Sequence, residues 1–370
     1  MKILITGSKG FIAQNLLISL KKNPELSLFE LGKKDNKKLF NYLNKVDAVF
    51  HLAGVNRSNA KKDFFQSNSE LTKKICDHII QKKLKLKFFY PSTIHVNKNN
   101  FYGMSKKKAE ESVQRLKKKT KCRVFIYRLP NVFGKGCRPF YNSVIATFCH
   151  QLSRNKKVSI KNSKEIFNFL YIDDLIESFI KNLFSKSKKI SKFTPVPKSQ
   201  KISIDALYKL LKSFQMNFDF AKLYKQKPFL KKLYSVYLSY LPAKKIVNFK
   251  DGFHDNRGDF FEILKSQDIG QISYLSIKPG ETRGNHYHNT KVELFFLVSG
   301  FVKFNIQNIF SKKKITITLK EGKKIPSILT QPGFAHNIVN YGKKDAKFII
   351  WSNEIYNIKK PDTHIYKVGI

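Results

Sequence analysis

Hydrophobic and polar positions follow two regimes along the chain, and the change falls near residue 243. Up to there, short and nearly continuous apolar runs alternate with helical periods. Residues 2–6 form a short apolar strand and Phe11–Leu20 a helical run. Further strands are read at 28–31, 47–52, 86–90 and 123–127, with a helix over 102–116. Strands that lack polar alternation are covered on both faces, as in a parallel sheet, and strand–helix alternation makes that sheet doubly wound. A helical stretch over 204–241 closes this part. Beyond it the period drops to two. Segments 292–298, 301–306, 314–319 and 347–351 alternate apolar and polar residues between turns rich in Gly, Pro and Asn, the pattern of a β-barrel or jelly roll. The expected fold class is therefore α/β followed by all-β, with a doubly wound domain over 1–243 and a barrel domain over 244–370.

Composition agrees with two packed cores. Of 370 residues, 42% are hydrophobic and 14% aromatic, which excludes a solvating, disordered chain. No apolar stretch approaches the ~18 residues of a membrane span. The apolar run near the N-terminus is too short for a signal peptide, so a cytoplasmic protein without a membrane partner is expected. Cys76, Cys122, Cys137 and Cys149 form no close pair and read as separate thiols of a reduced protein. Charge changes the picture more. Seventy-one Lys+Arg against 26 Asp+Glu give +45. The lysines are spread over the whole chain, and no helix-turn-helix, zinc-finger or RNA-binding signature accompanies them, so no nucleic-acid partner is expected. Such a surface still attracts anionic small molecules.

Candidate chemistry begins in the first strand–helix turn, Thr6-Gly7-Ser8-Lys9-Gly10-Phe11-Ile12-Ala13. Gly7 permits the tight turn, and Gly10 lets backbone approach a pyrophosphate at the N-terminus of a helix that Phe11 and Ile12 open. After the second strand, Gly32-Lys33-Lys34 offers two cations where an acidic residue would hold the ribose hydroxyls of NAD. Lys33 and Lys34 would instead pair with a 2′-phosphate, favouring NADPH. Tyr102 and Lys106 stand one helical turn apart on one face. An adjacent ammonium is expected to ease ionisation of the phenol, so that Tyr102 can exchange a proton with a carbonyl oxygen. At the end of the fourth strand, in Pro91-Ser92-Thr93, spacing favours Thr93 as the hydroxyl that holds the same oxygen. In the barrel, His286 and His288 share a strand face, and Glu293 and His336 are expected on adjacent strands. This donor set suits zinc or another divalent metal.

With these motifs in place, the first domain resembles an extended short-chain dehydrogenase/reductase acting on sugar nucleotides. Supporting segments are His51-Leu52-Ala53-Gly54, Arg128 to Gly134 and Tyr171-Ile172-Asp173-Asp174. The resemblance implies a Rossmann sheet, with Leu52, Ala53 and Gly54 lining the cofactor and Tyr102 as acid. It makes Lys106 the activator and nicotinamide-ribose ligand, and assigns Asn131 and Arg138 to the nucleotide-sugar. The stretches around His286 and Pro332-Gly333-Phe334-Ala335-His336 resemble the two cupin motifs. Arg257-Gly258-Asp259 and Arg283-Gly284-Asn285-His286 resemble cofactor-free epimerases of 4-keto sugar nucleotides, in which that histidine is the general base. His286 thus reads as ligand, base or both, with Arg257 and Arg283 toward substrate. The order of domains, with strings such as Thr282 to His288 and Leu233 to Pro242, is similar to the bifunctional capsule and O-antigen enzymes of the UDP-N-acetyl-L-fucosamine route. That resemblance implies a homodimer. It also implies C3 epimerisation of a UDP-2-acetamido-2,6-dideoxy-4-hexulose, then NADPH reduction at C4 to the L-talose product. The alternative is a 4-ketoreductase whose barrel is only structural or substrate-binding.

Overall fold

The computed structural model describes residues 1–33, 38–160, 162–187, 191–216, 228–247 and 249–369. The chain divides by contact into two compact units that meet in sequence between Pro242 and Ala243.

In the first unit, β1 (Lys2–Thr6), α1 (Phe11–Leu20), β2 (Ser27–Leu31), α2 (Leu39–Leu43) and β3 (Ala48–His51) open the alternation. They are followed by α3 (Lys61–Phe64), a π-helical turn over Phe65–Glu70, α4 (Leu71–Gln81) and β4 (Lys87–Thr93). Next come α5 (Phe101–Lys119) and β5 (Arg123–Leu129). The five strands form one parallel sheet in the order β2-β1-β3-β4-β5. Chain direction along the sheet reverses between β1 and β3, and the crevice at their carboxyl ends is where ligands bind in such folds. One apolar cluster, including Leu16, Phe50, Phe89 and Phe179, covers one face, and another, including Ile75, Phe88, Tyr90 and Val113, covers the other. That two-sided burial is why these strands show no polar alternation.

Three further strands, β6 (Asn131–Phe133), β7 (Ile166–Tyr171) and β8 (Gln200–Ser203), make a small separate sheet. The helices α6 (Val144–Leu152), α7 (Ile172–Phe184), α8 (Ile204–Met216) and α9 (Pro228–Leu238) complete the unit. The stretch read as one helical region over 204–241 therefore holds two helices among its described residues. Two capping devices set the frame of the site. The Asn100 side chain accepts from Gly103 N–H at 2.8 Å at the start of α5, and Lys117, Lys118 and Lys119 face its negative dipole end.

The second unit is antiparallel throughout. Its strands are β9 (Gly252–Asp255), β10 (Gly258–Ser266), β11 (Gly270–Ile277), β12 (Thr282–Tyr287), β13 (Glu293–Ser299) and β14 (Phe301–Asn308). They continue with β15 (Lys314–Lys320), β16 (Ser327–Leu329), β17 (Phe334–Asn340), β18 (Ala346–Ser352) and β19 (His364–Ile365). A six-stranded sheet runs β16-β13-β18-β11-β10-β9 and a five-stranded sheet β15-β14-β17-β12-β19. Their inner faces bury one core, with Phe295, Leu297 and Phe348 from the first and Val302, Phe304 and Ile338 from the second. Inward and outward residues alternate along β18, as period-two patterning requires.

Candidate functional site

Gly7 follows β1 at φ +68, and a Cβ there would lie 2.7 Å from both N and Cα of Ala53. The turn and the Leu52-Ala53-Gly54 segment therefore touch backbone to backbone at the switch point of the sheet. No side chain caps α1 at Gly10, and its first turn, Phe11 and Ile12, faces the same turn with its N–H groups. Ser8 N–H donates to Leu31 O at 3.1 Å, which draws the end of β2 and the exposed Lys33 toward the turn. Lys34 lies outside the described residues.

A buried polar chain sets the Ala53 segment. Ala53 N–H donates to Thr6 Oγ1 (3.3 Å), and Thr6 lies 2.8 Å from His51 Nδ1. His51 Nε2 lies 2.9 Å from Thr72 Oγ1, which donates to Asn68 O. Burial, helped by the Lys106 charge, pushes His51 down to about 3, so the ring is neutral and serves as a rigid strut. Asn68, in the π-helical turn, accepts from Val55 N–H (2.8 Å) and donates to Val55 O (2.9 Å) and Ser105 Oγ (3.0 Å). Ser105 in turn donates to Tyr102 O. Asn68 thus ties the loop after β3 to the helix carrying Tyr102 and Lys106. Sequence reasoning missed it because an isolated Asn in a helical run carries no local signal.

Thr93, Tyr102 and Lys106 come together at the carboxyl edge. The Thr93 hydroxyl lies beside the Tyr102 phenol, while Ser92 Oγ donates to the buried Glu110 carboxylate. Thr93, not Ser92, is therefore the hydroxyl beside the tyrosine. One expectation is corrected. Burial raises the Tyr102 phenol above its usual range, opposed by the neighbouring Thr93 hydroxyl. The Lys106 ammonium is turned instead to Pro91 O (2.7 Å) and the Tyr90 ring face (4.3 Å), and burial pushes it down to about 7 against the pull of Glu110. Glu110 also takes a two-pronged bond from Arg128, at 3.1 and 2.7 Å. Asn131 opens β6 half-buried, and Arg138 is exposed with its guanidinium 5.8 Å from the Tyr141 ring. Among the described residues, no hydrogen bond or ion pair joins either to the Thr93–Tyr102–Lys106 group.

In the second unit, β12 carries a bulge between Gly284 and His286, with Asn285 at φ +61. The bulge re-aims the strand so that His286 pairs with His336 of β17. His288 lies one residue beyond β12, yet its ring centroid stays 4.9 Å from that of His286. Glu293 comes from the facing six-stranded sheet, not from a strand adjacent to His286 as expected, because the two sheets close on each other here. One ligand atom from each of His286, His288, Glu293 and His336 lies within 4.8 Å of the others.

The donor chemistry fits a divalent cation. His288 Nδ1 lies 2.5 Å from Asp362 O, so that nitrogen donates, and Nε2 faces Glu293 Oε2 at 3.1 Å. An imidazole nitrogen and a carboxylate oxygen at this separation can both turn to one cation, the second ring nitrogen being fixed by a backbone carbonyl. His336 Nε2 is 3.6 Å from the same oxygen, and both His336 ring nitrogens are buried without a partner. Burial alone would raise the Glu293 carboxyl; His288, Lys291 and His336 outweigh it and hold the group below the usual carboxylate range. Burial pushes His286 down to about 4 and His336 to about 3, leaving both with a free lone pair. His286, Glu293 and His336 form part of the wall of a cavity of ≈ 270 Å³, which Arg257 and Arg283 also line. Both arginines pair with Asp255, at 2.8 and 2.7 Å, while Arg283 Nε is buried without a partner.

A dinucleotide-type turn beside a Thr–Tyr–Lys group, followed by a barrel with an N₃O cluster, defines a reductase and epimerase type of enzyme. The chain belongs to the NAD dependent epimerase/dehydratase family, which matches residues 3–190, and residues 253–364 match the polysaccharide biosynthesis C-terminal domain. It is an enzyme of the sugar-nucleotide reductase and epimerase class, using a nicotinamide dinucleotide. A Pseudomonas aeruginosa relative, UDP-2-acetamido-2,6-beta-L-arabino-hexul-4-ose reductase, is 36% identical over 371 residues, covering 100% of this chain and 99% of its own. The crystal structure of the capsular polysaccharide assembling protein CapF from Staphylococcus aureus matches at TM-score 0.86 and 32% identity, over 100% of both chains. UDP-glucuronic acid 4-epimerase from Bacillus cereus shares the fold of the first unit at TM-score 0.57 and 19% identity, over 67% of this chain and 100% of its own. Among the described residues, no helix is long and apolar enough to cross a membrane.

Proposed function

We propose that the chain converts a UDP-2-acetamido-2,6-dideoxy-4-hexulose to UDP-2-acetamido-2,6-dideoxy-L-talose, inverting C3 in the barrel and reducing C4 in the Rossmann unit. The observation that carries this reading is the presence, in one chain similar over its full length to a UDP-hexulose reductase, of two separate chemical groups. One is Thr93–Tyr102–Lys106; the other is the four-residue cluster in the barrel cavity.

In the reductase unit, NADPH when bound would supply the hydride for C4. The Tyr102 hydroxyl gives its proton to the resulting alkoxide oxygen, and Thr93 donates a hydrogen bond to that oxygen. Lys106 supplies positive charge beneath them and a donor for the nicotinamide ribose. Gly7, Gly10, Phe11, Ile12, Leu52, Ala53 and Gly54 form the dinucleotide cradle, and Asn131 and Arg138 take the nucleotide-sugar. Lys33, exposed just past the end of β2, favours a 2′-phosphate.

In the barrel, His286, His288, Glu293 and His336 would hold zinc or a similar ion, which when bound supplies Lewis acidity toward a keto oxygen. His286 lines the cavity, as Glu293 and His336 do, and its match to the general base of the cofactor-free epimerases assigns it the C3 proton transfer. Arg257 and Arg283 offer the cavity positive charge for the diphosphate.

The test is mass spectrometry of the product from this ketosugar in heavy water, with and without NADPH. Deuterium at C3 without NADPH, and a reduced product only with it, is expected. Reduction without any C3 exchange would leave the barrel a structural or binding module.

A further inference from the structure

Tyr90 lies on β4, three residues before Thr93, and is 1% exposed. Its ring stacks on His51, with centroids 6.0 Å apart and planes at 25°. The other partner of the ring is the Lys106 ammonium, 4.3 Å from the centroid. The hydroxyl makes no well-formed hydrogen bond, and the neighbouring Thr72 hydroxyl directs its proton to Asn68 O and pairs with His51. A buried hydroxyl without a partner weakens the fold, so the side chain's contribution here lies in its ring.

The surroundings of Lys106 give that ring a task. On its own helix it has Tyr102 and Glu110; on β4 it has Pro91 O and Tyr90; on β3 it has His51. Glu110 is itself divided between Ser92 and Arg128 of β5, so the nearest carboxylate is not committed to the lysine. Cys76 of α4 shares the apolar cluster with Tyr90 and is held protonated by burial. An ammonium has three N–H groups. One goes to Pro91 O, and the Tyr90 π-face meets the ammonium from a second side.

We propose that Tyr90 is a positioning residue of the reductase site, whose ring face holds Lys106 charged and in place beneath Tyr102. The inference rests on the reductase reading of that site for its kinetic consequence, but not for its physical one. A desolvated cation–π contact is worth enough to move a lysine's titration by about one pH unit.

Tyr90→Phe, Tyr90→Leu and a series of fluorinated phenylalanines at position 90 provide the test. Fluorination keeps shape while draining the ring of negative charge, so it remains informative where the leucine variant fails to fold. The Lys106 titration is read in the full chain by ¹³Cε-lysine NMR, with the resonance assigned by its loss in Lys106→Met. Tyr90→Phe should leave it unmoved. Tyr90→Leu should lower it by about one unit, and the fluorinated series should lower it stepwise. The high-pH limb of kcat for C4 reduction should move down with it, while the KM for the ketosugar stays within about twofold. An unmoved titration across the fluorinated series, or Tyr90→Phe shifting as far as Tyr90→Leu, overturns the proposal. A shifted titration with an unchanged kcat profile would instead overturn the role of Lys106 charge in reduction and leave the contact standing.

Discussion

Gly7 carries the sharpest energetic demand at the dinucleotide turn, and Gly136 is its natural control. Both have positive φ, +68 and +81. An alanine at either meets the left-handed penalty of about 1–2 kcal/mol. At Gly136 the nearest atom to an added Cβ is Asn15 Nδ2 at 3.9 Å, so Gly136→Ala costs little more than that strain. At Gly7 the methyl would lie 2.7 Å from backbone atoms of Ala53 and 2.9 Å from the Leu52 carbonyl carbon, and backbone cannot rotate aside. Relieving such overpacking adds about 1–3 kcal/mol. A unit of this size loses about 2–4 °C of Tm per kcal/mol, so Gly7→Ala should melt about 2–12 °C below Gly136→Ala. Calorimetry reads the difference. Fluorescence of Trp351, the only tryptophan, follows the barrel separately and should report no change. The displaced Leu52–Gly54 segment should weaken NADPH binding more than tenfold, about 1.4 kcal/mol or more, against about twofold for Gly136→Ala. Equal melting and equal affinity in the two variants would refute the close-approach argument.

Tyr102→Phe should lose C4 reduction by at least about 10²-fold while C3 exchange in heavy water continues, because the two groups lie in different units; retained NADPH oxidation would sink the acid assignment. His286→Ala with His288→Ala should remove metal and C3 exchange but leave reduction of an already epimerised substrate; elemental analysis that finds no metal in the active parent would make His286 a metal-free base. NADPH should be preferred to NADH, and Lys33→Ala should raise the KM for NADPH; parity of the two cofactors in the parent is the contrary result. His51 is pushed down to about 3 in the fold, below its usual 6.5, so the unfolded chain binds the extra proton first. Its contribution is intact above pH 6.5 and is lost at about 1.4 kcal/mol per unit as pH falls from there toward 3, a slope that His51→Gln should flatten in acid melts.

Much of this molecule is written locally. Near-continuous apolar runs at β1, β3, β4 and β5 mark a sheet covered on both faces, and the period-two runs of β13, β14 and β18 mark a barrel, because burial on two sides or one leaves a different residue pattern. Tyr102 and Lys106 are neighbours in any helix, and His286 and His336 stand in recognisable strings. Other features exist only after folding. Asn68 reaches Val55 and Ser105 across gaps of 13 and 37 residues. Lys106 takes its partners from β4 rather than from Tyr102, since full burial turns its ammonium to whichever carbonyl and ring face the packing leaves within reach. Glu293 joins the histidines from the opposite sheet, and the Asn285 bulge aims His286 at His336. Periodicity specifies which way a side chain points from its own strand. Which strands face each other, and where a register slips by one residue, is set by how two whole sheets close over a shared core.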